Sequence, residues 1–369
     1  MSVTPNQIAL YGSANMPEAD SVTVGGAIDL TKRVSFYDIG SNMSFDVVSS
    51  SASDTATKIQ VTGRDSTGTI QTPAAVTLNG QTLITTTFGA QVFERLLSGV
   101  ITGGAIGSLT NPGGTAAVGD VALLGHTRVI TSSTAQVGSA NTSGTTPPLM
   151  KLAAGQGATL GALTYSGLGL VIRTLTGTGA NQIRYIIAPY SAGAYGTDVV
   201  AINRDWGTIP DATTTYDISY GMVFDISPNA VTAITRCFAT AQADVPGGSS
   251  RTFYEKIFCL NQNATTALTA AAIQVLSETS ALPGSAALDL ALCSALNDTA
   301  TAANRQTAPS GTGGFVVQPS PINIIASPGS LPAGGTATQA QGMWLRLTLP
   351  AGTTAYKGTA DIRTTGSTT

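Results

Sequence analysis

The chain has 369 residues, of which only 10% are charged, and its formal net charge is −3 at pH 7. Typical soluble domains carry about 25% charged residues, so glycine, threonine, serine and alanine occupy many positions that charge usually fills. Hydrophobic residues make up 42% of the chain, which excludes intrinsic disorder, because disorder needs low hydrophobicity together with high net charge. The lysines and arginines are scattered singly, so we expect no nucleic-acid partner.

A weakly charged surface is a solubility liability for a free monomer. It is normal for a subunit that neighbours cover, and we therefore expect assembly into a larger particle; a secreted monomeric β-protein is the alternative. The sequence contains no apolar run of about 18 residues, so no membrane span is predicted. The first residues also lack the basic and apolar regions of a signal peptide.

Residues 1–32 are predicted to form an N-terminal arm. The large apolar residues Leu10, Tyr11 and Met16 follow no helical or strand period, so this segment cannot build a core of its own. It holds too many large apolar side chains for a solvated tail, although termini are often disordered. We expect it to order across another subunit or across a groove of the first domain, with these three residues as assembly contacts.

Residues 33–118 are predicted to form a first β-domain. The segment Lys58–Thr62 alternates polar and apolar residues with a period of two, as a half-buried strand does. Asn79-Gly80 is a strong signal for a tight hairpin turn. The Gly-rich residues 104–120 are predicted to be a linker or an ordered loop.

Residues 119–228 are predicted to form a second β-domain. Three short β-branched runs are bounded by turn residues, and they are Leu170–Leu175, Arg184–Ala188 and Asp198–Asn203. Gly177–Asn181 supplies residues that tolerate positive φ, so the first two runs are expected to form a hairpin. Trp206 is expected to pin the following loop to the end of the sheet. Gly155–Gly161 is not expected to bind nucleotide, because neither a Lys-Ser/Thr pair nor a helical pattern follows it.

Residues 229–369 are predicted to form a C-terminal immunoglobulin-like sandwich of about seven strands. The run Met343–Leu349 places four apolar side chains on one face and Trp344 on the other. We expect Trp344 to be covered by the second domain or by a neighbouring subunit. The predicted fold class is therefore all-β and multi-domain, with sandwich- or barrel-like domains.

The three cysteines, Cys237, Cys259 and Cys293, fit no zinc or redox spacing. Cys237 and Cys259 lie on the two limbs of a predicted hairpin that turns at Pro246-Gly247-Gly248, which would place them opposite each other. We expect them to be reduced. A Cys237–Cys259 bridge and a crosslink to a neighbouring subunit remain the alternatives.

The ionisable residues do not predict catalysis. His126 is the only histidine, so no Ser-His-Asp arrangement can be argued, and we expect no enzyme activity. Asp205, Asp211 and Asp217 are interpreted as turn-forming and capping residues. Together with Asp65, Asp198 and their neighbours they lack the spacing of a calcium loop, so neither a metal nor a cofactor is expected.

Three segments resemble, in order and spacing, a β-rich cassette of structural proteins from tailed-bacteriophage virions. They are TGTGANQIR (Thr176–Arg184), VAINRDW (Val200–Trp206) and PDATTTY (Pro210–Tyr216). A second set with the same resemblance lies in the first domain, at Val61–Gly68, Val76–Thr82 and Phe88. The resemblance implies a virion part.

From this resemblance we expect a subunit on the particle exterior, either a capsid decoration or minor capsid protein or a neck-collar protein. Its partners would be other virion proteins and copies of itself, and it would be found in virions assembled in the host cytoplasm. The alternative is a tail-associated receptor- or carbohydrate-binding protein, in which Trp206 and loop tyrosines contact a host-surface glycan. A tail-borne glycan hydrolase is a more distant reading. The candidate assembly residues are Leu10, Tyr11, Met16, Trp206 and Trp344.

Overall fold

A computed structural model of the protein describes residues 3, 7–17, 19–35, 39, 42–85, 92–102, 120–134, 142, 148–161, 169–186, 196–224, 231–238, 248–278, 287–318, 320–324, 329–353 and 360–368. Most of these residues lie in strands, which confirms the predicted all-β fold class. Phe88, Pro246, Gly247 and all of the predicted linker 104–120 except Asp120 lie outside the described residues.

The elements are numbered in chain order. The first part of the chain forms β1 (Ile8–Asn15), β2 (Val24–Ser35), β3 (Phe45–Ser49), β4 (Lys58–Arg64), β5 (Ile70–Gln71), β6 (Val76–Thr77), β7 (Arg95–Thr102), β8 (Val121–Gly125), β9 (Ile130–Thr134), β10 (Leu149–Lys151), the helix α1 (Gln156–Gly161), β11 (Leu170–Thr176), β12 (Ile183–Tyr185), β13 (Val199–Ala201) and β14 (Thr215–Phe224). The rest forms β15 (Ala233–Arg236), β16 (Arg251–Asn261), β17 (Thr269–Glu278), β18 (Ala287–Leu296), β19 (Thr301–Ala302), β20 (Ile322–Asn323), a 3₁₀ turn (Ala337–Gln339), β21 (Gln341–Leu349) and β22 (Ala360–Ser367).

The structure divides the chain differently from the sequence prediction. Unit 1 consists of Met1–Phe36 and Thr235–Thr369, and unit 2 consists of Tyr37–Ile234. The predicted arm and the C-terminal domain therefore belong to one compact unit, and the two predicted central domains belong to the other. The reason is that the N-terminal strands find their partners far along the chain.

The larger sheet of unit 1 incorporates the N-terminal residues as central strands. Its antiparallel order is β18-β21-β16-β1-β2, and the short β19 also pairs with β2. In the register of β1 with β16, Ile8 lies opposite Asn261 and Gly12 lies opposite Ile257. The prediction of an arm is therefore wrong for β1, because backbone hydrogen bonds to two strands of its own chain hold it.

A second antiparallel sheet, β20-β17-β22, completes unit 1. One apolar core draws side chains from β16, β18 and β21 of the first sheet and from β17 of the second. The predicted alternation of β21 is confirmed, since Met343, Leu345, Leu347 and Leu349 all belong to this core. The immunoglobulin-like arrangement of the strands stays a prediction.

Trp344 lies on the opposite face of β21 and is fully buried. Its cluster contains Val24, Tyr254, Cys293 and Ala302, all of which belong to unit 1. The expectation that another domain or subunit covers this ring is therefore wrong. The cover comes from β2 and from the segment around β19, which the sequence pattern of β21 alone does not reveal.

Unit 2 is organised around an antiparallel sheet with the order β12-β11-β14-β8-β3, and β9 also pairs with β14. β4 pairs with β5, β6 and β7, and β10 pairs with β13. One core includes side chains from β3, β4, β8, β11 and β14 together with Trp206. Alternate residues of β3, β8, β11 and β14 form a second apolar cluster, so this sheet is buried on both faces.

The predicted hairpin that would pair Cys237 with Cys259 is wrong. β16 pairs with β1 along one edge and with β21 along the other, so no edge beside Cys259 is left for β15. All three cysteines are free thiols. Burial raises the pKa of Cys259 to about 11 and that of Cys293 to about 12, so both stay protonated at neutral pH.

Candidate functional site

The three segments that carry the resemblance meet in unit 2, and we call Thr176–Arg184, Val200–Trp206 and Pro210–Tyr216 the motif cluster. The predicted hairpin is confirmed, because β11 pairs antiparallel with β12. Its turn uses positive φ at Gly177 (76°), Gly179 (72°) and Asn181 (62°). A Cβ atom at Gly177 would also collide with the backbone carbonyl of Thr213, so the glycine allows the hairpin to approach the third segment.

The second segment is anchored by Trp206. Its strand β13 pairs with β10, a partner that the sequence did not indicate. The indole Nε1 of Trp206 donates a hydrogen bond to the carbonyl of Leu149 at 3.1 Å, and the ring is 4% exposed. The predicted role of Trp206 in pinning this loop to a strand end is confirmed.

One side-chain amide joins the hairpin to the loop that follows Trp206. Gln182 Nε2 donates to the carbonyls of Gly179 (2.9 Å) and Thr208 (2.7 Å). Its Oε1 accepts from the backbone N–H groups of Gly207 (2.6 Å) and Thr208 (3.3 Å). The amide therefore satisfies backbone groups of two loops that are more than twenty residues apart in sequence.

Threonines join the hairpin to the third segment. The N–H of Thr178 donates to Thr213 Oγ1 at 3.1 Å, and Thr214 Oγ1 donates to the carbonyl of Thr178. Asp211 closes the same loop by accepting from the N–H and the hydroxyl of Thr213 at 2.8 and 2.6 Å. Hydrogen bonds, chiefly from the Thr213 hydroxyl, lower the pKa of Asp211, and its predicted turn-forming role is confirmed.

Arg184 supports the cluster from inside. Its Nε and Nη2 donate to the carbonyl of Asp205 at 3.0 and 2.6 Å. The guanidinium lies 5.2 Å from the centre of the Trp206 ring and 3.6 Å from the buried carboxylate of Asp120. Asp120 also pairs with Arg204. These ion pairs and hydrogen bonds hold the cluster by a polar network as well as by apolar packing.

The outer side of the motif cluster is small, polar and nearly uncharged. Its exposed residues are Thr176, Gly177, Thr178, Asp205, Ala212 and Thr213. The exposed residues Gly207, Thr208 and Ile209 join the second segment to the third. The hydrogen bonds that link the three segments fix these positions relative to one another. Such an arrangement suits a rigid contact surface more than a site of proton transfer, which needs convergent ionisable groups.

The candidate assembly residues all pack within their own unit. Tyr11 is fully buried, with Arg33 at 4.6 Å above its ring and Gln262 donating to its hydroxyl. Leu10 and Met16 are half-buried and pack against the core of unit 1. Trp206 and Trp344 are at most 4% exposed. Tyr11, Trp206 and Trp344 therefore stabilise the fold and cannot contact a partner from these positions.

A chain of ionisable side chains in unit 2 was missed by the sequence analysis. Arg128 donates to Asp46 (2.9 Å) and to Asp217 (3.2 Å), and His126 Nδ1 lies 2.9 Å from the other oxygen of Asp46. Burial raises the pKa of Asp217, although Arg128 and Arg173 oppose the rise. The interpretation of Asp217 as a turn residue is wrong, since it lies within β14. The sequence signal that could have indicated this role was the position of Asp217 within the strand-like run TYDISY.

The other two aspartates considered in the sequence analysis, Asp198 and Asp65, have separate local roles. Asp198 accepts from the N–H groups of Gly155 (3.0 Å) and Gly157 (2.7 Å) and thereby caps the short helix α1. That helix lies within the Gly-rich stretch Gly155–Gly161, and the residues that directly follow it, 162–168, lie outside the described residues. Asp65 closes the turn between β4 and β5.

Replacing Gln182 by alanine is expected to lower the free energy of unfolding of unit 2 by about 1–3 kcal/mol, because each net hydrogen bond is worth about 0.5–1.5 kcal/mol. Gln182→Glu is the matched variant, since it keeps the acceptor at Gly207 but loses both donors. Chemical denaturation should give distinct free energies of unfolding for wild type, Gln182→Glu and Gln182→Ala. Equal midpoints for all three would show that the amide does not hold the cluster.

Asp65 is expected to titrate at a pKa of about 2, chiefly because the hydroxyl of Thr67 and the amide of Gln71 donate to its carboxylate. Because the pKa of Asp65 is lower in the folded state, its contribution to the stability of the fold is complete at pH values above the ordinary pKa of 3.8. That contribution is lost as the pH falls through about 2. Carboxyl NMR titration measures this value directly. Thr67→Ala should move the midpoint upwards, and a midpoint near 3.8 in the wild type would contradict the assignment.

No helix among the described residues is long and apolar enough to cross a membrane. Comparison of the chain with protein-family models, with curated proteins and with solved structures finds no match.

Proposed function

We propose that the protein is a structural subunit on the exterior of a tailed-bacteriophage virion, either a capsid decoration or minor capsid protein or a neck-collar protein. It stabilises the particle through contacts with other virion proteins and with copies of itself. The resemblance of the motif cluster to virion proteins motivates this role, and the character of the exposed surface supports it.

The observation that carries the proposal is the scarcity of exposed charge. Of the aspartate, glutamate, lysine and arginine side chains that the structure describes, only Lys58, Asp205 and Arg363 are exposed. Many of the others are buried, and these are Asp46, Asp54, Asp120, Arg173, Arg184, Asp198, Asp217, Arg236, Glu255, Lys256, Asp289 and Arg305. Protein interfaces are depleted of charge at their centres, whereas free soluble domains keep about 25–35% charged residues on the surface.

The carbohydrate-binding alternative depended on Trp206 as an exposed aromatic residue, and the structure does not place it at the surface. A stacking platform for a sugar needs an exposed aromatic face, and Trp206 is 4% exposed. Tyr216 is fully buried as well, and its hydroxyl accepts a hydrogen bond from the N–H of Ala153 at 2.7 Å. Assembly through protein contacts is therefore the function that we favour.

Fractionation of dissociated virions tests this role. The protein should remain with the heads or with the neck, at a stoichiometry that fits a particle symmetry. Its absence from purified particles would contradict a structural role. Recovery with tail tips that bind host glycan would favour the receptor-binding alternative.

A pair of matched variants tests whether the motif cluster forms the contact. Ile209 and Ile70 are both 46% exposed and both lie in unit 2, but only Ile209 lies in the loop that joins two segments of the motif cluster. We expect Ile209→Asp to reduce incorporation into particles at least tenfold, because burying one unpaired carboxylate costs more than about 1.4 kcal/mol. Ile70→Asp should incorporate normally, and the reverse result would place the contact elsewhere.

A further inference from the structure

Lys256 is a fully buried lysine in the middle of β16. It lies on the side of the strand that faces away from the main core of unit 1. Its Nζ lies 5.2 Å from the centre of the Phe258 ring and 5.7 Å from the centre of the Trp344 ring. Lysines are almost never fully buried without a specific partner, so the surroundings of its amine are informative.

The partner of Lys256 is the segment that follows β18. Nζ contacts the carboxylate oxygen Oδ1 of Asp298 directly. It also lies 2.7 Å from the backbone carbonyl of Asp298 and 3.1 Å from that of Ala300. The Asp298 side chain is 16% exposed, so both reacting groups are largely removed from water.

This arrangement matches what an amine needs to attack a carboxyl group. A neutral amine has two N–H donors, which the two carbonyls can accept, and one lone pair, which is left for the Asp298 carboxyl carbon. That carbon lies one bond beyond the oxygen that Nζ already contacts.

We propose that Lys256 and Asp298 form an intramolecular isopeptide bond in the folded protein. A proton passes from the ammonium group to the carboxylate, which replaces two buried charges by two neutral groups. Nζ then bonds to Cγ of Asp298, the Cγ–OH bond breaks, and the amine proton leaves with the hydroxyl as water. The products are one amide and one water molecule, so neither an oxidant nor any other co-reactant is required.

Folding would accelerate the formation of this bond by bringing the two groups together. The two groups are 42 residues apart in sequence, and β16 together with the end of β18 brings them into contact. Holding two reactants in this way raises the effective concentration by many orders of magnitude. The bond would tie β16 to the segment that covers Trp344, so it would resist unfolding of unit 1 in a particle under mechanical load.

Intact mass spectrometry of the purified, denatured full-length chain tests the proposal. The expected mass is lower than the sequence mass by one water molecule. A tryptic digest should contain the uncleaved peptide 252–305 at one water below its sequence mass, because Lys256 is the only tryptic site between Arg251 and Arg305 and the bond would block cleavage there. A chain with the full sequence mass overturns the proposal, and so does a lost water together with normal cleavage after Lys256, since an aspartyl succinimide would explain that loss.

Three comparisons make the assignment specific. Lys256→Arg and Asp298→Ala should each restore the full mass expected for the variant sequence, and a remaining deficit would overturn the proposal. Asp298→Asn should instead lose one ammonia, because an asparagine amide releases ammonia when the same bond forms. The Lys32–Asp29 pair, at 3.6 Å and partly exposed, is an internal control that should stay unlinked in every digest.

Discussion

Deleting residues 1–16 is expected to unfold unit 1 while unit 2 stays folded. The deletion removes β1, which lies between β16 and β2, and leaves an unpaired edge on each of them. It also removes the buried side chains of Ala9 and Tyr11. Burying one large apolar side chain contributes about 1.5–3 kcal/mol, and a domain has only about 5–15 kcal/mol in total.

Hydrogen exchange resolved by peptide measures this outcome for each unit. Peptides from β16 and β21 should lose protection, whereas peptides from β8 and β14 should keep it. Tyr11→Ala should show the same trend in a milder form, and Tyr11→Phe, which loses only the hydroxyl, should cost about 0.5–1.5 kcal/mol. Unchanged protection of β16 in the deleted chain would instead favour the predicted N-terminal arm.

Replacing Trp344 by alanine is expected to destabilise unit 1 by about 3–5 kcal/mol, because the substitution leaves a large cavity in a packed interior. The ring is fully buried among Val24, Tyr254, Cys293 and Ala302. Trp206→Ala is the matched control, since it removes a buried tryptophan from unit 2 instead. In calorimetry, Trp344→Ala should shift the thermal transition of unit 1, and Trp206→Ala should shift that of unit 2. An unchanged transition for unit 1 in Trp344→Ala would contradict the packing described above.

A second substitution separates packing from backbone strain at the same place. Gly25 has φ +93°, and a Cβ atom there would lie 2.7 Å from Cη2 of Trp344. Gly25→Ala should therefore destabilise unit 1 through both the collision and the positive φ. In the double variant with Trp344→Ala the collision disappears, so its loss of stability should be smaller than the sum of the losses in the two single variants. Strict additivity would show that Gly25 and Trp344 do not touch.

Local features were readable from the sequence because neighbouring residues decide them. The period of two in Met343–Leu349 defined the faces of β21, and the turn residues Gly177–Asn181 defined the β11–β12 hairpin. Trp206 was also correctly expected to anchor a loop. In each case the residues that set the conformation lie within a few positions of one another, and strand alternation and turn chemistry carry that information.

Only the tertiary structure decided which strands distant in sequence pair and which charges meet. β1 has the local composition of an arm, yet it pairs with β16 more than 240 residues later, and no local pattern encodes a partner at that distance. The same holds for the cover of Trp344, for the pairing of β13 with β10, and for the contact of Lys256 with Asp298. The physical reason is that the pairing and burial of one strand depend on all the other strand faces of the chain that must be covered at the same time. The sequence by itself determined the all-β class and the faces of individual strands, whereas the assembled units determined what each face meets.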